Sequence, residues 1–165
     1  MVKMSGLVKI DISGLGNVKK KLFSKIAEEQ TARLVEYAPL MLSKAYNQRT
    51  FHNDTWNLSD SYVWVVYYKG EIKGSGYLWN SRSATNDVRY HHTKINGRKL
   101  AEEFISTYTP KTFNGWEVVW AATAPYSTYL ESGVRGKKFK VMSSIYDEIV
   151  SDFKDKAKVT FENNY

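Results

Sequence analysis

Seven consecutive residues, YVWVVYY at Tyr62–Tyr68, are all β-branched or aromatic and constrain the fold more than any other segment. Such residues favour strands, and successive side chains of a strand point to opposite faces, so both faces here are apolar. Lys69-Gly70 predicts a tight turn, and residues 71–79 predict the returning strand of a hairpin. Both faces must be covered. We expect a helix on one and a second sheet layer or a neighbouring subunit on the other.

The remaining segments predict a single small α+β domain. Residues 7–12 alternate between apolar and polar side chains, which predicts a half-buried strand, and residues 19–47 carry apolar side chains at helical spacing. Pro39 lies inside that helix, so a kink or a break is expected beside it. The other predictions are a loop at residues 80–95, a helix capped by Asn96, a strand at Trp116–Ala122, a helix at 142–153 and a closing strand at 157–161. Together they predict an antiparallel sheet of about four to five strands against a long N-terminal helix, with about two or three shorter helices.

The composition favours a globular intracellular protein. The chain has 165 residues, a length typical of one domain, with 42% hydrophobic and 25% charged residues. It has no cysteine, which excludes disulfide staples and thiol chemistry, and no apolar run reaches the roughly 18 residues of a membrane span. Aromatic residues make up 15% of the chain. A domain of this size is not expected to bury all of them, which points to a partner or an oligomer.

Positive charge is concentrated in one short segment. The formal net charge is +7, and Arg135-Gly136-Lys137-Lys138-Phe139-Lys140 places four cations in six residues. Arg135, Lys137, Lys138 and Lys140 are therefore candidates for contact with a phosphate backbone or with an acidic protein surface. A solvated loop is the simpler interpretation of the same pattern.

The sequence predicts no catalytic, metal or cofactor residues. His91 and His92 are adjacent and Asp87 is the nearest carboxylate, but a metal site needs further ligands at suitable spacing. His52, followed by Asn53-Asp54, resembles part of a nuclease cluster. A small nuclease that uses these histidines is therefore the weakest functional hypothesis for this sequence.

The segment APYSTYLESG at residues 124–133 carries the strongest local pattern. Pro125 suits the first position of a short helix, and Gly133 suits a left-handed residue at its end. Glu131 ends an otherwise apolar turn. It is predicted either to pair with Arg135 or with a basic residue of another subunit, or to be an ordinary surface residue.

Several segments, in order, resemble the tail-completion or head–tail joining family of tailed bacteriophages. DTWNLSDSYVWVVYYKGE at 54–71 resembles the family's Thr-Gly-x-Leu-x-x-Ser turn followed by a hairpin, with Trp56 where the family usually has glycine, a residue that supplies a positive φ. EVVWAATAPYSTYLESG at 117–133 resembles its strand, Pro-Tyr-Ala and Glu-x-Gly pattern, with Ser127 in place of alanine. The opening strand with the long helix, residues 96–110 and residues 141–149 extend the likeness over most of the chain.

The resemblance implies a virion structural protein without enzymatic activity. Such subunits form rings at the neck, between the connector or portal side and the tail tube or terminator side, where DNA leaves the head. The resemblance also implies assembly in the host cytoplasm and no membrane partner. A basic nucleic-acid-binding protein with aromatic strands as a stacking platform is the alternative. The residues to which the resemblance gives a structural or interface role are Trp56, Leu58, Pro125, Tyr126, Tyr129, Glu131 and Gly133.

Overall fold

The structure is a computed structural model that describes residues 2–6, 17–51, 56–79, 88–90, 92–133, 136–154 and 157–161. The helices are α1 Asn17–Asn47, α2 Asn57–Asp60, α3 Gly97–Thr107, α4 Ser127–Ser132 and α5 Tyr146–Asp152, with a 3-10 turn at Ser143–Ile145. The strands are β1 Val2–Gly6, β2 Tyr62–Tyr68, β3 Glu71–Tyr77, β4 Val88–Tyr90, β5 Thr93–Ile95, β6 Trp116–Ala122 and β7 Lys158–Phe161.

Five of the strands form one antiparallel sheet in the order β3-β2-β6-β1-β7. The two most apolar strands, β2 and β6, are neighbours, and their register pairs Tyr62 with Ala122 and Tyr68 with Trp116. The predicted α+β class, with a long helix on an antiparallel sheet and several short helices, is confirmed.

Two indole side chains hold α1 on one face of this sheet. Trp116 Nε1 donates to Thr31 Oγ1 at 2.8 Å, and Trp120 Nε1 donates to the Ala38 carbonyl at 2.8 Å. The helix therefore runs in the same direction as β6. Of the kink or break predicted at Pro39, the break is wrong, because α1 continues to Asn47. Packing against the sheet compensates for the hydrogen bond that proline cannot make.

The second face of the sheet is covered by α3. Val63, Val65 and Tyr67 of β2 form a second buried cluster with Ala101 of α3, while the alternate residues of β2 face α1. The prediction that alternate residues of β2 point to two opposite, buried faces of the sheet is confirmed. The predicted cover is wrong, because a helix of the same chain takes the place expected for a second sheet layer or a neighbouring subunit.

The structure confirms the predicted hairpin, the strand Trp116–Ala122 and the closing strand. It also confirms the helix cap at Asn96, whose Oδ1 accepts from the amides of Arg98 and Lys99. The predicted helix at 142–153 is present as the 3-10 turn followed by α5. The predicted loop at 80–95 is wrong over 88–90 and 93–95, which form the β4–β5 pair, and residues 80–87 and 91 lie outside the described residues. The predicted strand at 7–12 also lies outside them, and the first observed strand is β1.

Candidate functional site: the Glu131 junction and the lysine loop

A tight turn connects β6 to α4. The Ser127 amide donates to the Ala124 carbonyl at 2.9 Å, which closes a four-residue turn with Pro125 at its second position. Proline suits that position because its ring fixes φ at the required value. The expectation that Pro125 is the first residue of the helix is wrong, since α4 begins at Ser127. The Ser127 hydroxyl also donates to the Ala122 carbonyl at 2.9 Å and ties the turn to the end of the strand.

The carboxylate of Glu131 organises the chain that follows α4. Its Oε1 accepts from the backbone amides of Val141, Met142 and Ser143 at 3.1, 2.5 and 2.6 Å. Its Oε2 accepts from the Ser143 hydroxyl at 2.7 Å. The amides at the start of a 3-10 turn lack carbonyl partners within the turn, and an acidic side chain satisfies them with charge-assisted bonds. Glu131 thus has a structural task within its own chain, so the prediction of an ordinary surface residue is wrong.

Gly133 lets the chain leave α4 at a close approach. Its φ is 113° and its ψ is 138°, and its amide donates to the Tyr129 carbonyl at 3.1 Å. The predicted positive φ is present, but the left-handed helical conformation is not, because ψ is extended. A Cβ atom at this position would stand 3.2 Å from Lys138 Cγ. The segment after the helix therefore folds back against the helix end.

That segment, residues 136–140, is here called the lysine loop. The Phe139 amide donates to the Leu130 carbonyl at 3.1 Å, and the Lys140 amide donates to Thr50 Oγ1 at 2.9 Å. Phe139 packs against the main core, which is the buried cluster on the α1 face of the sheet. Lys137, Lys138 and Lys140 are exposed. The structure thus brings three of the four predicted cations together. Arg135 lies outside the described residues, so its predicted pairing with Glu131 does too.

The two tyrosines of this segment differ in their surroundings. The Tyr126 ring centroid lies 5.5 Å from that of Tyr90, and burial raises the pKa of Tyr126 to about 12. Tyr129 is 52% exposed. Of the two, Tyr129 is the more exposed, whereas Tyr126 is half-buried.

The second motif forms a buried turn before β2. Trp56 has φ 62° and ψ −5°, the left-handed conformation, and it is 44% exposed. Glycine at this position in the resembled family would adopt that conformation without strain. Leu58, two residues later, is 4% exposed and belongs to the main core.

Polar residues of this turn hold α3 in place. The Gly97 amide donates to Asn57 Oδ1 at 2.7 Å, and a Cβ on Gly97 would stand 2.0 Å from the Asn57 carbonyl oxygen. Arg98 Nε donates to Asp60 Oδ2 at 2.9 Å, and the Asp60 side chain is 1% exposed. Asn57 and Asp60 therefore join the second motif to the helix that covers the far face of the sheet.

Sequence reasoning missed a third carboxylate with a comparable role. Glu117 is 1% exposed, and it accepts from the Tyr108 hydroxyl at 2.5 Å and from the amides of Lys111 and Thr112 at 2.8 Å each. The available signal is a single acidic residue inside the otherwise apolar strand WEVVWAA. A buried charge needs such partners, because burial without them is costly.

The histidines do not form a site within the described part of the chain. His92 is exposed, whereas His52 and His91 lie outside that part. Among the residues that the structure describes, no group of three or more histidine, aspartate or glutamate side chains could hold a metal ion. Within the same ranges, no helix is long and apolar enough to cross a membrane.

Comparisons with known proteins give no relative: no family model, no curated protein and no solved structure matches this chain.

Proposed function

We propose that this protein is a structural subunit of the neck of a tailed bacteriophage, of the tail-completion or head–tail joining class, without enzymatic activity. The observation that carries the proposal is the conformation of Trp56. Its φ of 62° is the conformation that the family's glycine would supply at this position of the turn. The backbone at Trp56 thus has the conformation that the resembled turn would require, and this supports the proposal.

The resembled motif at residues 117–133 supports the same function. In the Glu-x-Gly pattern, Glu131 binds three successive amides and a hydroxyl, and Gly133 has a positive φ beside the lysine loop. Glu131 holds the backbone of residues 141–143, and Gly133 allows the turn of the backbone after α4. The roles that the resemblance assigns to them are roles in the fold or at an interface, and these contacts agree with that assignment.

The buried and half-buried carboxylates favour a structural subunit over an acid–base enzyme. Glu131, Glu117 and Asp60 each accept hydrogen bonds from backbone amides or from side chains of the same chain. A general acid or base must be within reach of a substrate proton. These carboxylates are engaged in holding α3, α4 and the segments next to them.

In the proposed assembly, copies of the chain form a closed ring with portal or connector proteins on one side and tail-tube or terminator proteins on the other. A closed ring requires a heterologous interface, in which two different patches of each subunit meet. The protein would then be found in the virion, and in the host cytoplasm during assembly.

The test is disruption of the gene in the phage or prophage that carries it. We expect DNA-filled heads and separate tails that do not join, restored by the wild-type gene supplied in trans, and we expect mass spectrometry of purified wild-type virions to detect the protein. Normal infectious particles from the disrupted gene, or its position among genes for metabolic enzymes instead of portal, capsid and tail-tube genes, would reject the proposal.

The alternative function, nucleic-acid binding through aromatic strands, is less well supported. Tyr62, Tyr67 and Trp120 of the central strands are at most 2% exposed, because α1 and α3 cover both faces of the sheet. Stacking of bases requires exposed ring faces. The aromatic side chains of the central strands are therefore not accessible to bases.

A further inference from the structure

We propose that the lysine loop binds the phosphate backbone of double-stranded DNA, with Lys137, Lys138 and Lys140 as the contacting side chains. This inference deepens the proposed function and rests on it for the presence of duplex DNA beside the protein.

The loop is held in one shape from both sides. The amide of Phe139 is bound to the Leu130 carbonyl of α4, and that of Lys140 is bound to the Thr50 hydroxyl, three residues after the end of α1. Directly after it, Glu131 fixes three amides in succession. A preorganised loop loses little conformational entropy when it binds a partner.

The charges of the loop are directed to solvent. Lys137, Lys138 and Lys140 are exposed, while Phe139 between them packs against the core. None of the three lysines forms an ion pair with a carboxylate in the described part of the chain. Lysine ammonium groups that are exposed and not in an ion pair bind phosphates with release of counterions, which makes the affinity depend on the salt concentration.

The charge of the whole molecule favours a polyanion over a second copy of the chain as the partner of the lysine loop, so the contacts between copies in a ring would use other surfaces. Each copy carries a formal net charge of +7. Two copies therefore repel each other at long range, whereas DNA attracts each copy. A basic loop at an interface between copies would add to that repulsion.

Duplex DNA fits better than a single strand. Proteins that bind single strands stack successive bases on aromatic side chains. The strongly exposed aromatic residues of the described part of the chain, Trp56, Phe113 and Tyr129, lie in separate segments, and Tyr62, Tyr67 and Trp120 of the central strands are buried. Lysines arranged without such a platform are suited to the backbone, which a duplex presents on its outside.

The experiment compares two charge-matched variants of the full chain. The loop variant is Lys137→Glu with Lys138→Glu, and the control is Lys94→Glu with Lys99→Glu on β5 and α3, where both side chains are exposed. Each pair lowers the formal net charge from +7 to +3, because each change replaces a positive with a negative charge. Binding to a labelled DNA duplex of mixed sequence is measured by fluorescence anisotropy between about 50 and about 200 mM salt.

We expect the loop variant to lose at least about tenfold in affinity, and its plot of log affinity against log salt to become shallower by about 2, one for each lost phosphate contact. The control is expected to lose less than about threefold, because exposed charges elsewhere act through the screened field alone. Lys137→Arg with Lys138→Arg is expected to retain binding. Unchanged circular dichroism spectra and melting temperatures would show that the variants are folded.

Three results would overturn the inference. They are equal losses in the loop variant and the control, tighter binding of a single strand than of the duplex, and no salt-dependent binding by the wild type. Any of these leaves the neck function standing if the gene disruption separates heads from tails. Conversely, loop-dependent DNA binding with normal particles from the disrupted gene would reject the neck function alone.

Discussion

Trp56 carries a backbone conformation that its side chain does not favour. Its φ of 62° is in the left-handed region, which costs a residue with a Cβ atom about 1 kcal/mol relative to glycine. We therefore predict that Trp56→Gly is more stable than Trp56→Ala by about 1 kcal/mol, the reverse of the usual order. Both variants delete the indole, so their difference isolates the backbone. Urea denaturation measures it, and an alanine variant at least as stable as the glycine variant would contradict the prediction.

Tyr67 and Tyr62 differ in what their hydroxyl groups contact. Among the described residues, the buried Tyr67 hydroxyl has no hydrogen-bond partner, whereas that of Tyr62 donates to the Val141 carbonyl at 3.0 Å. Removing an unpaired buried hydroxyl is neutral or favourable, while removing a paired one costs about 1 kcal/mol. We predict that Tyr67→Phe leaves the free energy of unfolding equal or higher and that Tyr62→Phe lowers it. Equal destabilisation of both variants would show that Tyr67 has a partner.

At the scale of elements, the Glu131 carboxylate connects α4 to the start of the 3-10 turn that follows the lysine loop. Truncation by Glu131→Ala would leave three amides and the Ser143 hydroxyl without their acceptor. Since half-buried groups regain part of their hydration, we predict a loss of about 2 to 3 kcal/mol in the free energy of unfolding. Chemical denaturation measures this loss.

Two controls make the Glu131 prediction specific. Glu103→Ala removes an exposed carboxylate from α3 and is expected to leave stability nearly unchanged. Glu131→Gln retains one carbonyl oxygen and is expected to lie between the wild type and Glu131→Ala. Hydrogen exchange should show faster exchange at the amides of 141–143 in the alanine variant. Exchange that stays slow there would mean that these amides have other acceptors.

The elements that were predictable from the sequence carry strong local patterns. The hairpin of β2 and β3 follows from a run of strand-forming residues and a Lys-Gly turn, and α3 follows from Asn96 with apolar residues at helical spacing. In contrast, β1 has the sequence VKMSG, which lacks such a pattern. It is a strand because β6 and β7 pair with it on both sides, and this pairing depends on residues more than a hundred positions away.

The candidate site was predictable in its residue types and not in its contacts. The cluster of lysines and the Pro, Glu and Gly positions are visible in the sequence. The acceptor role of Glu131 was not, because three of its four donors are backbone amides 10 to 12 residues later, which give no side-chain signal. For the same reason, the expectation that Glu131 pairs with a cation rested on charge alone.

At the scale of the whole molecule, tyrosines on both faces of the sheet make the free energy of unfolding depend on pH in the alkaline range. Burial raises the pKa of Tyr62, on the α1 face, well above its ordinary value, and it raises the pKa of Tyr67, on the α3 face, to about 12. The pKa of Tyr126 is likewise raised to about 12 by burial. In each case the folded state holds the phenolic proton more tightly than the unfolded chain does. The resulting stability is fully present below the unfolded pKa of about 10 and is lost as the pH rises through the folded pKa.

We therefore predict that the melting temperature falls between about pH 10 and about pH 12, beyond the fall caused by lysine deprotonation. Tyr67→Phe removes one of these groups, so its melting temperature should fall less steeply over the same window than that of the wild type. Phenolate absorbance and circular dichroism followed together provide the check. Ionisation of the buried tyrosines should coincide with loss of the fold, because the charged form is not tolerated between the sheet and its helices. If phenolate forms at Tyr67 while the circular dichroism signal is intact, the α3 face must open without global unfolding, and the two faces are then not one cooperative unit.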